Sequence, residues 1–248
     1  MRRPLLILLG AFAAVALLRE RRPRWSKIAD GGGVLRGVKQ RAEGSAAPRW
    51  AIDRVVPQTE FRDVISVTVN AAPSAIFEAL RQVTPNDMPV ANALGTLRYL
   101  PGRILGRATV AADAAHPFIS TLLENGTVVL EESPDQELVF GSAGKYHQLL
   151  DQEPEPFHTA EEFHAFNNPA CQKLVMSIRV EPTGTPGLNR LVLEHRTQAL
   201  TPEAGRRFRR YWLVIKPLGA LVTKQLLWAI KCGAERASPV AEAVGRST

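Results

Sequence analysis

A chain that passes straight from a strand into one long amphipathic helix must present an apolar surface for that helix to cover, and Thr201 to Arg236 has this form. Thr201 has the side-chain oxygen of an N-cap, Pro202 the fixed φ suited to the first helical position, and Glu203 a charge that complements the positive helix end. Phe208, Tyr211, Trp212, Ile215, Val222, Leu226, Ala229 and Ile230 recur at spacings of three and four and form one wide apolar stripe. Pro217 is expected to kink or divide the helix, because its ring removes an N–H and crowds the carbonyl four residues back. Arg206, Arg207, Arg209 and Arg210 around Phe208 suit either a solvated face or anionic lipid headgroups.

Upstream, Asp63 to Val69 alternates with the period of a half-buried strand, and Pro73 to Val83 follows as a short helix with Ile76, Phe77, Leu80 and Val83 on one face. Thr84 to Arg107, rich in Pro and Gly, has room for a second short helix and a strand at Leu97 to Leu100, and His116 to Asn125 has helical spacing. Two antiparallel pairs are then expected. Thr127 to Glu132 joins Glu137 to Ala143 through a Ser-Pro-Asp-Gln turn, and Lys173 to Val180 joins Arg190 to Leu200 through a Pro/Gly-rich loop. The second pair predicts Met176 opposite His195 and Ser177 opposite Glu194, the latter beside Arg179 and Arg196 on the outer face. The order defines an α+β fold, a curved antiparallel sheet gripping the long C-terminal helix.

Charge is segregated. The formal net charge is +7, yet residues 1–49 hold eleven Lys/Arg against three Asp/Glu, which leaves the remainder near neutral and without the broad positive face that nucleic acid requires. Pro4 to Leu18 is uncharged and apolar between Arg2-Arg3 and a run of five cations. At about 1.5 Å per residue it is short for a bilayer core of about 30 Å, so spanning requires thinning or snorkelling. The favoured reading is an uncleaved single-pass N-terminal anchor, with the main domain held in the cytoplasm by the positive charge on its C-terminal side. The rival is a signal peptide cut after Ala14-Val15-Ala16, which would send the domain out of the cell. The expected layout is an anchor at 1–25, a flexible linker at 26–59, one domain at 60–237 and a disordered tail at 238–248. Cys171 and Cys232 lack any partner motif and read as two thiols.

Four stretches resemble the START-like, or SRPBCC, superfamily of helix-grip domains, which includes the polyketide cyclase/dehydrase-like proteins. They are Val67 to Leu80, Glu131 to Gly141, and the pair Glu194-His195-Arg196 with Arg207 to Pro217. The resemblance covers residues 60–237, and its last two motifs are similar to an uncharacterised bacterial branch. His195 stands where that branch has a small residue. The resemblance implies a cavity between sheet and helix that takes an apolar or amphipathic molecule, lipid or polyketide-like. Tyr99, Phe118, Phe140, Tyr146, Phe166, Met176, His195, Tyr211, Trp212 and Ile215 are then its candidate wall.

No residue set specifies a reaction. His195, Glu194 and Tyr211 are the candidate proton carriers of a cyclase/dehydratase-type enzyme, the alternative to a binding protein. Glu161 and His164 lack the duplicated spacing of a metal site, so neither metal nor cofactor is expected. A third reading is a non-catalytic interaction module. Val128, Leu130, Val139 and Gly141 make the outer sheet face apolar and so a candidate surface for a protein partner.

Overall fold

The computed structural model describes residues 50–94, 115–148 and 154–238. The anchor segment, the strand expected at Leu97 to Leu100, Tyr99 and the tail from residue 239 lie outside them.

Among the described residues the order is α1 (Ala51–Val55), β1 (Phe61–Asn70), α2 (Pro73–Gln82), α3 (Phe118–Glu124), β2 (Val128–Ser133), β3 (Glu137–Gly144), α4 (Ala160–Ala165), β4 (Gln172–Pro182), β5 (Leu188–Ala199) and α5 (Pro202–Ala237). A 3₁₀ turn at Pro85–Asp87 and helical residues 89–94 follow α2. The strands form one curved antiparallel sheet in the order β1-β5-β4-β3-β2, giving an α+β fold with a long C-terminal helix. The register has Met176 opposite His195 and Ser177 opposite Glu194, as the alternation predicts. Turn chemistry sets it. Asp135 takes a φ of 56° between β2 and β3, and Gly184 and Gly187 take the positive φ values of the β4–β5 loop.

The inner face of the sheet carries Ile65, Val69, Leu138, Phe140, Ile178, Leu191 and Leu193. Against it pack Ile76, Phe77 and Leu80 of α2 and Leu226, Leu227 and Ile230 of α5, each buried side chain contributing about 1.5 to 3 kcal/mol. A Cβ added at Gly233 would stand 3.1 Å from the Ala79 Cβ, so α2 and α5 meet through small residues. Thr201 accepts from the Ala204 N–H at the start of α5, as its N-cap position requires. The helix runs unbroken through Pro217, which does not divide it. Pro217 and Leu213 are both exposed, so the carbonyl deprived of its partner lies where water can replace it.

The outer face is covered by the chain itself. Ala51, Ile52 and Val56 lie over one part of it, and Phe157 and Phe163 with Phe166 over Val128, Val139 and Val175. Two expectations change here. Ala51–Val55, within the stretch read as linker, form a docked helix. Phe166, read as a cavity wall under α5, belongs to the outer cluster, its ring 5.3 Å from that of Phe157. The apolar outer face that suggested a protein partner is occupied by these segments.

Candidate functional site

The helix positions Phe208, Trp212, Ile215, Gly219, Thr223, Leu226 and Ile230 succeed one another at three- and four-residue steps and share the domain-facing side of α5. That side is closed at both ends. Phe208 is buried against Phe61, ring centroids 4.8 Å apart, with Trp212 stacked on Phe208, while Thr223, Leu226 and Ile230 are buried beyond. Between them, among the described residues, the helix is open and Gly219 is exposed. Ile215 and Val222 are only partly buried, and a Cβ built on Gly219 meets no atom within 4 Å among the described residues.

The inner face of the sheet becomes more polar toward the His195 end. Phe61 and Asp63 of β1 lie against the first part of α5, Asp63 through Lys216, whose Nζ stands 3.9 Å from Oδ1 and 6.0 Å from the Trp212 ring. Asp63 pairs with His195, and His195 with Met176. Farther from the hydrophobic centre, the inner face carries Thr197 and Gln172, whose Oγ1 and Nε2 atoms are buried without a hydrogen-bond partner. Ser142 accepts a 2.8 Å bond from the Tyr146 hydroxyl at the same end.

His195 is the central group. Its residue retains some accessible surface, yet the ring is surrounded closely enough by protein that burial, against the opposing pull of Glu194, lowers its pKa to about 4. At neutral pH it is an uncharged imidazole, with one ring nitrogen to donate and one to accept.

Trp212 and Ile215 lie on the same side of α5 as Gly219, and His195 is paired with Met176 on the inner face of the sheet. Phe140 is 1% exposed and fills the core. Phe118 packs partly buried against that core, Tyr211 packs on Phe208, and Tyr146 stands at the polar end. Gly219, which has no motif, was not anticipated as part of the site. Two surface hollows of about 460 and 510 Å³ lie elsewhere, at the N-terminus of α5 and between α2 and the end of α5.

Glu194 and Arg196 lie on the opposite face of the sheet from His195. Glu194 is 1% exposed and accepts from Arg62 at 2.6 Å, Arg196 at 2.8 Å and Arg179 at 3.0 Å. Burial raises its pKa, but the Arg62 hydrogen bond and the charges of Arg196 and Arg179 together outweigh burial and bring the value to about 2. Arg196 continues to the Val56 carbonyl at 2.7 Å and to Asp53, while Glu137 accepts from the Ala51 N–H and the Ser177 hydroxyl, both at 2.6 Å. The network thus complements both poles of the α1 dipole. It is a structural lattice, and Glu194 has no access to a substrate at His195. Among the described residues no three His, Cys, Asp or Glu side chains are grouped to hold a metal.

The sequence matches no family model and no curated protein.

Proposed function

We propose that the chain is a helix-grip binding protein for an apolar or amphipathic small molecule, lipid or polyketide-like, held between the sheet and the middle of α5. One observation carries the reading. Among the described residues the side of α5 that packs on the domain at both ends is open at Gly219, and the inner sheet face carries a desolvated His195, an arrangement we read as a recess between helix and sheet. Trp212, Ile215 and Met176 offer apolar surface, whose burial supplies affinity, and neutral His195 offers a single polar contact to fix orientation. The apolar segment Pro4 to Leu18 supports a membrane tether, which would concentrate a membrane-derived ligand. Binding is favoured over turnover because Glu194, one of the three candidate proton carriers, faces the opposite layer.

The test is native mass spectrometry on the full chain purified from its host, followed by extraction and mass analysis of any organic molecule carried with it. A stoichiometric lipid or polyketide is expected. Gly219→Phe projects a ring into the open space and is expected to keep the fold while reducing uptake at least tenfold, the loss of roughly 1.4 kcal/mol of binding. A wild-type chain that carries nothing and takes up nothing from a lipid extract would overturn the proposal. Undiminished uptake by Gly219→Phe would move the site away from α5.

A further inference from the structure

The outward side of α5 presents a second surface, independent of the recess. Arg206, Arg210, Leu213, Val214, Pro217, Leu221, Lys224 and Trp228 follow one another at helical spacing along it. Leu213 is 74% exposed and Val214 39%, the two most exposed large apolar residues on this helix. Arg206, Arg209 and Arg210 are exposed and make no ion pair among the described residues, whereas Arg207 is held by Glu203. Lys224 is exposed on the far side of the apolar pair, whereas Lys216 turns toward Asp63. The 36-residue helix contains an 18-residue window of mean hydropathy 1.4, only 22% of it buried, and is long and apolar enough to cross a membrane. Its inward residues, however, belong to the core, which fits a helix lying on a bilayer rather than through it.

We infer that this stripe docks on an anionic lipid surface, with Leu213 and Val214 entering the acyl boundary and the arginines and Lys224 meeting lipid phosphates. The composition selects this occupant. A nucleic acid would engage the cations and leave the exposed leucine unused. A second copy packed about a two-fold axis would bring Arg206 and Arg210 toward Lys224 of its mate, like charge against like. An interfacial helix uses both features, burying an apolar strip about 5 to 10 Å deep while cations at its borders reach the headgroups.

The experiment places an environment-sensitive thiol label at Leu213→Cys in the full chain, with Cys232→Ser to keep labelling specific. Its depth is read by quenching from brominated acyl chains in phosphatidylcholine vesicles containing roughly one-third phosphatidylserine. Because the readout is local, it reports docking of α5 whether or not the N-terminal segment holds the chain at the bilayer. Quenching is expected in anionic vesicles, weaker in pure phosphatidylcholine and in high salt. Each cation near an anionic surface is worth roughly fivefold in partitioning, so Arg206→Glu with Arg210→Glu should shift the docked fraction at least 25-fold toward the undocked state. A label that stays in water on anionic vesicles would overturn the inference. So would a label buried in buffer in a concentration-dependent way, which indicates a second copy, or one protected only by added RNA.

Discussion

At the level of single residues, Glu194 bears the largest electrostatic load. Three guanidinium groups converge on one carboxylate that is 1% exposed, and Arg196 extends the charge to α1. Removing one partner of a buried ionic network costs more than the network contributes, because the remaining charges lose their compensation without regaining water. Glu194→Gln preserves the volume and part of the hydrogen bonding but removes the carboxylate that Arg179 and Arg196, both nearly buried, share, leaving Arg179 with Glu181 and Arg196 with Asp53. The variant is expected to lose about 3 kcal/mol of stability, seen as a lower urea midpoint at an unchanged slope. A loss below about 0.5 kcal/mol would mean that water solvates this layer and that the network is superficial.

Among the elements, α5 carries a cost that its position reduces but does not remove. Pro217 deprives the Leu213 carbonyl of its helical partner, and in an exposed helix interior proline is less favourable than alanine by about 3 kcal/mol. Because that carbonyl can turn to water, Pro217→Ala should stabilise the protein by about 1 to 3 kcal/mol, measured as a raised thermal midpoint. A neutral or destabilising result would show that the bend imposed by proline is needed for the packing of α5. This helix and the strands were legible because periods of 3.6 and 2 persist over many residues, and alternation in β5 was enough to divide His195 from Glu194. The five residues of α1 are too few to show a period. They are helical because Glu137 and Arg196, remote in sequence, hold their two ends. Phe166 was misplaced for a related reason, since an aromatic in an irregular stretch has no periodicity to say which layer it joins. Gly219 reads in sequence as a helix-weakening residue, and only the packing around it reveals an open flank.

For the whole molecule, one strand couples two layers that respond to acid in the same direction. His195 lies on the inner face, toward the proposed recess, and Glu194, its neighbour, enters the outer lattice, so both faces of β5 hold a group whose pKa is lowered by folding. For His195 the fall is from 6.5 to about 4, caused by burial of the imidazole. Between those values the unfolded chain binds the proton and the folded one does not, so this contribution is complete above pH 6.5 and is lost as pH falls toward 4. Glu194 follows at lower pH. Its carboxyl moves from 4.5 to about 2, so its contribution is complete above pH 4.5 and disappears on acidification toward 2. Unfolding free energy should therefore decline in two overlapping stages, the first amounting to about 1 to 3 kcal/mol after allowance for the solvent that reaches the recess. His195→Gln isolates that stage, because an amide of similar reach does not titrate. Urea titrations from pH 7.5 down to 4 should give a flatter profile for the variant while the decline below 4.5 persists. Identical slopes in the two proteins between pH 6.5 and 4 would place the imidazole in bulk-like water and remove the desolvated recess from the architecture.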